Sequence, residues 1–260
     1  VLSIFQGPEW VQLEPFPTIY DVGGARLSIP DTGDFVAIGN WEEGLAGYRL
    51  DGSLIWRRSD LKRCRGLMMS GDGMSVTCPV NQRGTHRVDI RDGKTIEVYR
   101  GVNQVWGSSD GSMLLEKSGI AIIRNVLVGQ DRKLPLLSFG ILSCCFAGEF
   151  VILSEAGTSV RCIDSRDLST VWAFEEKGWH ASHMAATANG DALTVVWFSY
   201  KKRADTRIIS FELSTGRIKS DFIVPREDNY RICVGGTVAV SGEGPVYDVQ
   251  TGKVVADLRG

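Results

Sequence analysis

A tight-turn signature recurs along this chain at intervals of about 40 residues, and that recurrence restricts the fold more than any other feature. Each copy is an apolar run, a small or acidic cluster holding glycine, and a second apolar run. The copies read Leu-Ser-Ile-Pro-Asp-Thr-Gly-Asp-Phe-Val-Ala-Ile from Leu27, Leu-Met-Met-Ser-Gly-Asp-Gly-Met-Ser-Val from Leu67 and Val-Trp-Gly-Ser-Ser-Asp-Gly-Ser-Met-Leu-Leu from Val105. Three more start at Cys144, Ala185 and Ile232. Their turn glycines, Gly33, Gly73, Gly111, Gly148, Gly190 and Gly236, stand 37 to 46 residues apart.

A second signature follows each first one: an aromatic or β-branched strand, a tight turn, and another strand. It spans Tyr48–Trp56, Val88–Val98, Val160–Trp172, Ile208–Ile218 and Val246–Val255, with a weaker copy over Ile122–Leu137 that carries Gly129-Gln-Asp-Arg. Glycine supplies the positive φ such turns need, while Asp, Ser and Thr bond the local backbone. The chain has 30 glycines in 260 residues, well above the usual frequency of about 7 %. Two hairpins per repeat predict four antiparallel strands, the content of one propeller blade. The expected fold is all-β: a six-bladed β-propeller of four-stranded antiparallel blades, a single domain over residues 22–260. Residues 1–21 stand outside the repeats. In that segment Leu2–Phe5 or Trp10–Leu13 offers a ring-closing strand against the last blade, and a seventh, partial blade is the competing account. A pair of β-sandwiches lacks a double-turn repeat of this length, and β-helices repeat at shorter spacing. No window of ten or more residues shows helical apolar spacing.

The Ser-x-Asp-Gly turn followed by an Asp-Gly or Thr-Gly turn resembles the WD-repeat and pyrroloquinoline-quinone-like β-propeller superfamilies, over about residues 22–260. The resemblance implies architecture. No Trp-Asp dipeptide occurs, so it does not carry over the Asp/His/Trp network of strict WD repeats. The expected quinone-contacting residues are missing too, and no cofactor is expected. Activity must be argued from a site.

Charge excludes some classes. The 29 Lys and Arg nearly balance the 31 Asp and Glu, for a net charge of −2, which argues against a globally basic nucleic-acid binder. The longest uncharged run, Leu134 to Gly148, contains Pro135 and Gly140 and is shorter than the roughly 20 apolar residues of a spanning helix, so no membrane association is expected. Six cysteines (Cys64, Cys78, Cys144, Cys145, Cys162, Cys233) include no C-x-x-C pair. Read as unpaired thiols, they fit a reducing compartment. The chain starts at Val1 rather than Met, which leaves room for a removed N-terminal segment, and the expected compartment is the cytoplasm.

In a propeller the first and third turns of each blade share one face, while the middle turn and the connection to the next blade share the other. The glycine-locked turns occupy the first face. The variable lengths occupy the second: Asn40–Gly47, Arg57–Arg65, Asn81–Thr85, Glu175–His183 and Ser199–Arg207. Binding residues gather on variable loops carried by a rigid scaffold. Arg57, Arg58, Lys62, Arg63 and Arg65 cluster there, as do Lys201, Lys202, Arg203 and Arg207, opposed by Glu42–Glu43, Glu175–Glu176 and Glu227–Asp228. These charges are either solvated loop charge or a mixed-sign docking surface; the interrupting acids weigh against nucleic acid. Trp41 and Trp179 fall in the same loops and either anchor a partner or pack down between blades.

Catalytic candidates are few. His86, His180 and His183 are the only histidines, and the His180-x-x-His183 pair, expected in an inter-blade loop, has no neighbouring carboxylate motif. No Walker loop occurs. The reading is a non-catalytic protein-binding propeller, an interaction partner or inhibitor of another protein. Its expected contacts are Arg57, Arg58, Arg63, Lys201, Arg203, Trp41 and Trp179. The alternative is a propeller hydrolase or lyase with a divalent cation at the channel mouth.

Overall fold

The computed structural model describes residues 5–6, 11–12, 26–28, 35–49, 51–64, 66–70, 73–80, 84–102, 104–107, 112–117, 120–125, 130–134, 141–155, 158–187, 189–199, 206–224, 233–234, 237–240 and 244–257. These residues form strands and turns, with no helix among them. The chain divides into two compact units, Val1–Pro135 and Leu136–Gly260.

In the first unit Phe5–Gln6 (β1) and Val11–Gln12 (β2) pair with each other, Phe5 opposite Gln12. Three four-stranded antiparallel sheets follow, each ordered along the chain. The first comprises Arg26–Ser28 (β3), Phe35–Asn40 (β4), Gly44–Arg49 (β5) and Leu54–Arg58 (β6). The second comprises Met68–Met69 (β7), Ser75–Val80 (β8), Gly84–Asp89 (β9) and Thr95–Tyr99 (β10). Gln104–Gly107 (β11), Ser112–Lys117 (β12), Ile120–Asn125 (β13) and Gln130–Leu134 (β14) make the third. The weaker repeat copy is thus a full hairpin, β13 with β14.

The second unit repeats the plan. Ile141–Ala147 (β15), Phe150–Glu155 (β16), Ser159–Asp164 (β17) and Thr170–Glu175 (β18) form its first sheet. Trp179–Ala186 (β19), Ala192–Ser199 (β20), Thr206–Glu212 (β21) and Ile218–Val224 (β22) form the second. Cys233–Val234 (β23), Val238–Val240 (β24), Pro245–Asp248 (β25) and Val254–Asp257 (β26) form the third.

Burial follows strand position. The second strands β4, β8, β16 and β20 are covered on both faces, which is why they read as near-continuous apolar runs such as Val151-Ile-Leu and Leu193-Thr-Val-Val-Trp. The fourth strands β6, β10, β18, β22 and β26 are mostly exposed edges. Each of these five carries one extra residue against its partner: Ile55, Ile96, Val171, Lys219 and Val255. A bulge re-aims the side chain after it and spoils the edge for pairing with another chain.

The third turns explain the Asp-Gly and Thr-Gly signals. Gly52, Gly93, Gly216 and Gly252 hold φ of +81°, +72°, +72° and +70°. Asp89, Asp164 and Asp248 accept the N–H two residues on through their side chains. The hairpin over 164–169 has no glycine, and Leu168 takes the left-handed position at φ +65°.

The bulges aim two indoles at the next sheet. Trp56 donates its Nε1–H to the Ile90 carbonyl at 2.5 Å, and Gly93 lies so close that a Cβ there would stand 2.8 Å from the ring. Trp172 repeats this with the Leu213 carbonyl at 2.6 Å and Gly216 under its ring. Trp172 also stacks on Phe211, centroids 5.5 Å apart, inside a core with Ile152, Val195, Trp197 and Ile209. The first unit packs Leu45, Leu61, Val76, Val88 and Ile90 around Trp56.

One expectation is corrected. Cys64 and Cys78 are not separate thiols: they form a disulfide pair with Cα atoms 6.1 Å apart, brought together because Cys64 bridges Val80 beside β8. Cys144, Cys145 and Cys162 are free, and burial pushes the Cys145 and Cys162 thiols up to about 12.

Candidate functional site

At one end of the first sheet the β4–β5 turn stands as a braced platform. Asn40, 1 % exposed, accepts the N–H groups of Glu42 and Glu43 on its side-chain oxygen, at 2.7 and 3.3 Å. Such an Asx turn fixes the backbone without help from the partner strand. Gly44 closes it at φ +99°, against the backbone of Arg58. Trp41, at the tip, is 41 % exposed. The outgoing connection is pinned beneath it. Leu61 and Cys64 are buried at 1 % and 2 %, so Lys62 and Arg63 between them face outward. Arg63, at φ +61°, donates its N–H to the Trp41 carbonyl at 2.9 Å. Trp41 and Arg63, 22 positions apart, therefore share one surface.

The other arginines expected here have intramolecular roles. Arg57 lies 3.8 Å from the Glu43 carboxylate. Arg58 clasps Asp60 through two bonds of 2.7 Å and reaches the Gly93 carbonyl and the Thr95 hydroxyl of the neighbouring sheet. Its guanidinium holds the Asp60 carboxyl below the usual carboxylate range.

In the second unit Trp179 is the first residue of β19 rather than part of a loop, because the Gly178 turn, at φ +84°, ends the connection just before it. The Arg207 guanidinium lies 5.9 Å from the Trp179 ring centroid and is paired with Asp221 at 2.6 Å and Glu176 at 3.0 Å. Arg207 stood in the basic cluster but not among the expected contacts. Its role depends on Asp221 and Glu176, both distant in sequence. Lys201 and Arg203 lie outside the described residues.

His180 and His183 are likewise on β19, not in an inter-blade loop. Ser182 is the bulged residue, so His180 opposite Phe198 and His183 opposite Val196 point to the same face. Ser182 Oγ and His183 Nδ1 are 2.8 Å apart. Among the described residues no three of His, Cys, Asp and Glu are grouped to hold a metal ion. One motif escaped the sequence reading: Gly107-Ser-Ser-Asp-Gly111 matches the G-x-S-x-G pattern of a nucleophile elbow. An elbow turns from strand to helix, whereas here the run links the antiparallel strands β11 and β12. Among the described residues no helix is long and apolar enough to cross a membrane.

No protein-family model matches the chain, and no curated protein matches it. Solved structures do. The β-propeller domain of Cps50 (Swd1) from Myceliophteria thermophila is 13 % identical with a TM-score of 0.69, covering 95 % of this chain and 89 % of that one. BamB from Moraxella catarrhalis is 18 % identical with a TM-score of 0.59, covering 90 % and 72 %. The C-terminal WD40 domain of Sif2 is 13 % identical with a TM-score of 0.63, covering 83 % and 65 %. At such identities the likeness is one of fold. The chain has a WD-repeat-like β-propeller architecture, all-β and built of four-stranded antiparallel sheets.

Proposed function

We propose that this chain is a non-catalytic protein-binding propeller, its six sheets the blades of one ring over residues 22–260, and that it docks a partner protein through the end of the first sheet that carries Trp41. The observation that carries this reading is the bracing of Trp41. An exposed indole on a backbone held by Asn40, Gly44 and Arg63 presents a large apolar area with little ordering left to do on binding. Trp and Arg are the residues most enriched among binding hot spots. Arg63 and Lys62 beside the ring, with Arg57 behind, select a partner that offers carboxylates around an apolar pocket. The propeller neighbours, two of them WD-repeat domains, support an interaction scaffold. The hydrolase or lyase alternative has no metal-binding constellation among the described residues.

The test is a partner captured from the source cell, identified by mass spectrometry and remade pure. Trp41→Ala should then weaken its binding by about 30-fold, mainly through faster dissociation. Arg63→Glu should slow association, most at low salt. A partner bound with unchanged kinetics by both folded variants would show that this face is not the docking surface.

A further inference from the structure

The connection between β6 and β7 carries the brace beneath Trp41, and it is fixed by two anchors. Leu61 is buried, and Cys64 is bonded through sulfur to Cys78 of β8, itself fully buried. Cys64 adds an isolated backbone bridge to Val80. Arg63 lies between these anchors. Its φ of +61° belongs to the left-handed region, which a residue other than glycine keeps only where its surroundings hold it. That conformation delivers the N–H bond to the Trp41 carbonyl at 2.9 Å.

The sulfur supports the turn from a second side. A Cβ on Gly39 would stand 2.6 Å from Cys64 Sγ, so this sulfur rests on the β4 backbone one residue before Asn40. Asn40 in turn holds the Glu42 and Glu43 N–H groups. One covalent bond thereby ties β8, the connection and the end of β4 into the mount of the exposed Trp41 indole. Other thiols are poorly suited to exchange, since burial raises Cys144, Cys145 and Cys162 well above the ordinary thiol range. Cys64 differs, because the exposed cations Lys62 and Arg63 immediately precede it, and cations beside a sulfur favour the thiolate.

We propose that the Cys64–Cys78 bond is a redox latch on the Trp41 surface. Closed, it holds Arg63 under Trp41 and keeps the turn rigid; opened by a low-molecular-weight thiol, it frees the connection, and the indole loses its brace. Opening is thiol–disulfide exchange. A small thiolate attacks one sulfur, the S–S bond breaks and the released sulfur takes a proton. A second small thiolate then attacks the attached small sulfur and leaves with it as a disulfide, so Cys64 and Cys78 end as two thiols. The buried sulfurs are reached when the connection lifts, its residues Ser59, Asp60, Lys62 and Arg63 being exposed. The latch rests on the Trp41 docking reading for its consequence alone, and it is tested without a partner.

The full chain, labelled with 5-fluorotryptophan, is followed by ¹⁹F NMR after oxidation with glutathione disulfide, and again after about 5 mM dithiothreitol without denaturant. Alkylation and mass mapping should find the Cys64–Cys78 bond in the first state and its loss in the second. Trp41→Phe identifies the Trp41 line. Reduction should shift that line and narrow it about 2-fold as the tip gains motion, while the lines of Trp172, Trp179 and Trp197 stay in place. Hydrogen exchange of the Arg63 amide should quicken by about 10-fold or more. Cys64→Ala/Cys78→Ala should show the reduced behaviour with or without dithiothreitol; should that variant fail to fold, the two states of the unaltered chain decide. The latch is overturned by absence of the bond after oxidation, by a bond that dithiothreitol opens only in urea, or by a Trp41 line and an Arg63 amide that are alike in both states. An unmoved Trp41 line removes the latch and leaves the docking surface, whereas a partner indifferent to Trp41→Ala removes the docking surface and leaves the latch.

Discussion

Truncating Trp172 should be among the most damaging changes this chain can undergo, and the structure separates the reasons. The side chain is 9 % exposed, stacks on Phe211 and lies against Gly216. Trp172→Ala removes that packing, leaves a cavity in a close-packed core and strips the Leu213 carbonyl of its indole donor, at a cost of about 3–5 kcal/mol. Trp172→Phe keeps a ring in the slot and loses the N–H. The Leu213 carbonyl then loses its indole donor and keeps the weak Cys162 thiol contact, 3.9 Å away, so the cost should be about 1–2 kcal/mol. Gly216→Ala tests the contact from the other side. Its Cβ would stand 2.7 Å from Cγ of Trp172 on a backbone at φ +72°. The backbone contributes about 1–2 kcal/mol, and the clash adds to it.

Urea unfolding followed by far-ultraviolet circular dichroism measures all three and the double variant. With the ring gone the two closest contacts go and only the residue 172 Cβ at 3.0 Å stays, so Trp172→Ala/Gly216→Ala should cost less than the sum of its parts by about 1 kcal/mol. The reasoning fails if Trp172→Phe proves as costly as Trp172→Ala, or if the double variant is additive. Either result would mean that the indole neither satisfies Leu213 nor rests on Gly216.

The ion pair of Arg161 and Glu155 has side chains 4 % and 0 % exposed, at 2.5 Å, so Arg161→Met should cost about 3–5 kcal/mol in urea unfolding, while adding Glu155→Gln should recover much of it. Burial holds His180 below its ordinary 6.5, so the unfolded chain binds its proton first as pH falls. Stability should then be level above about pH 7.5 and decline through about pH 6.5 and below, with a shallower decline in His180→Gln. Leu168→Gly should stabilise the chain by about 0.5 kcal/mol, because the left-handed strain it relieves exceeds the chain entropy that glycine adds. A fall in the urea midpoint would refute that reading.

What was legible in the sequence is what local sterics dictates. A positive φ at Gly93, Gly216 or Gly252 is demanded within four residues, so the Asp-Gly and Thr-Gly turns announce themselves, and with them the hairpins and their spacing. Leu168 shows the limit of that signal, since the same turn forms without glycine once flanking strands impose it. Contacts between sheets left no such mark. Trp56 and Trp172 find their carbonyl partners 34 and 41 residues away, and no local pattern distinguishes them from tryptophans that fill their own strand's face. The strand position of His180 and His183 was hidden for a related reason. The bulge at Ser182 breaks strict alternation, and the short Gly178 turn lets β19 begin where loop composition was still apparent.

Aligned on the fourth-strand bulge, the following residue in the sheets that precede another sheet of the same unit reads Trp56, Glu97, Trp172 and Ser220. These are different answers to one geometric question, namely what fills the groove to the next sheet. The two tryptophans close it with an indole. Glu97 meets Arg124 of the next sheet at 3.5 Å and accepts the Tyr99 hydroxyl at 2.7 Å, so charge and a phenol stand where the indole would. At Ser220 the hydrogen bond is kept by a hydroxyl, and the ring that covers the turn glycine comes from Phe222 two residues on. A repeat protein thus carries internal controls for its own sites. Ser220 and Phe222 together do what a single tryptophan does in two other sheets, the hydroxyl holding the turn carbonyl and the phenyl ring covering the turn glycine, so the groove is closed by packing there too.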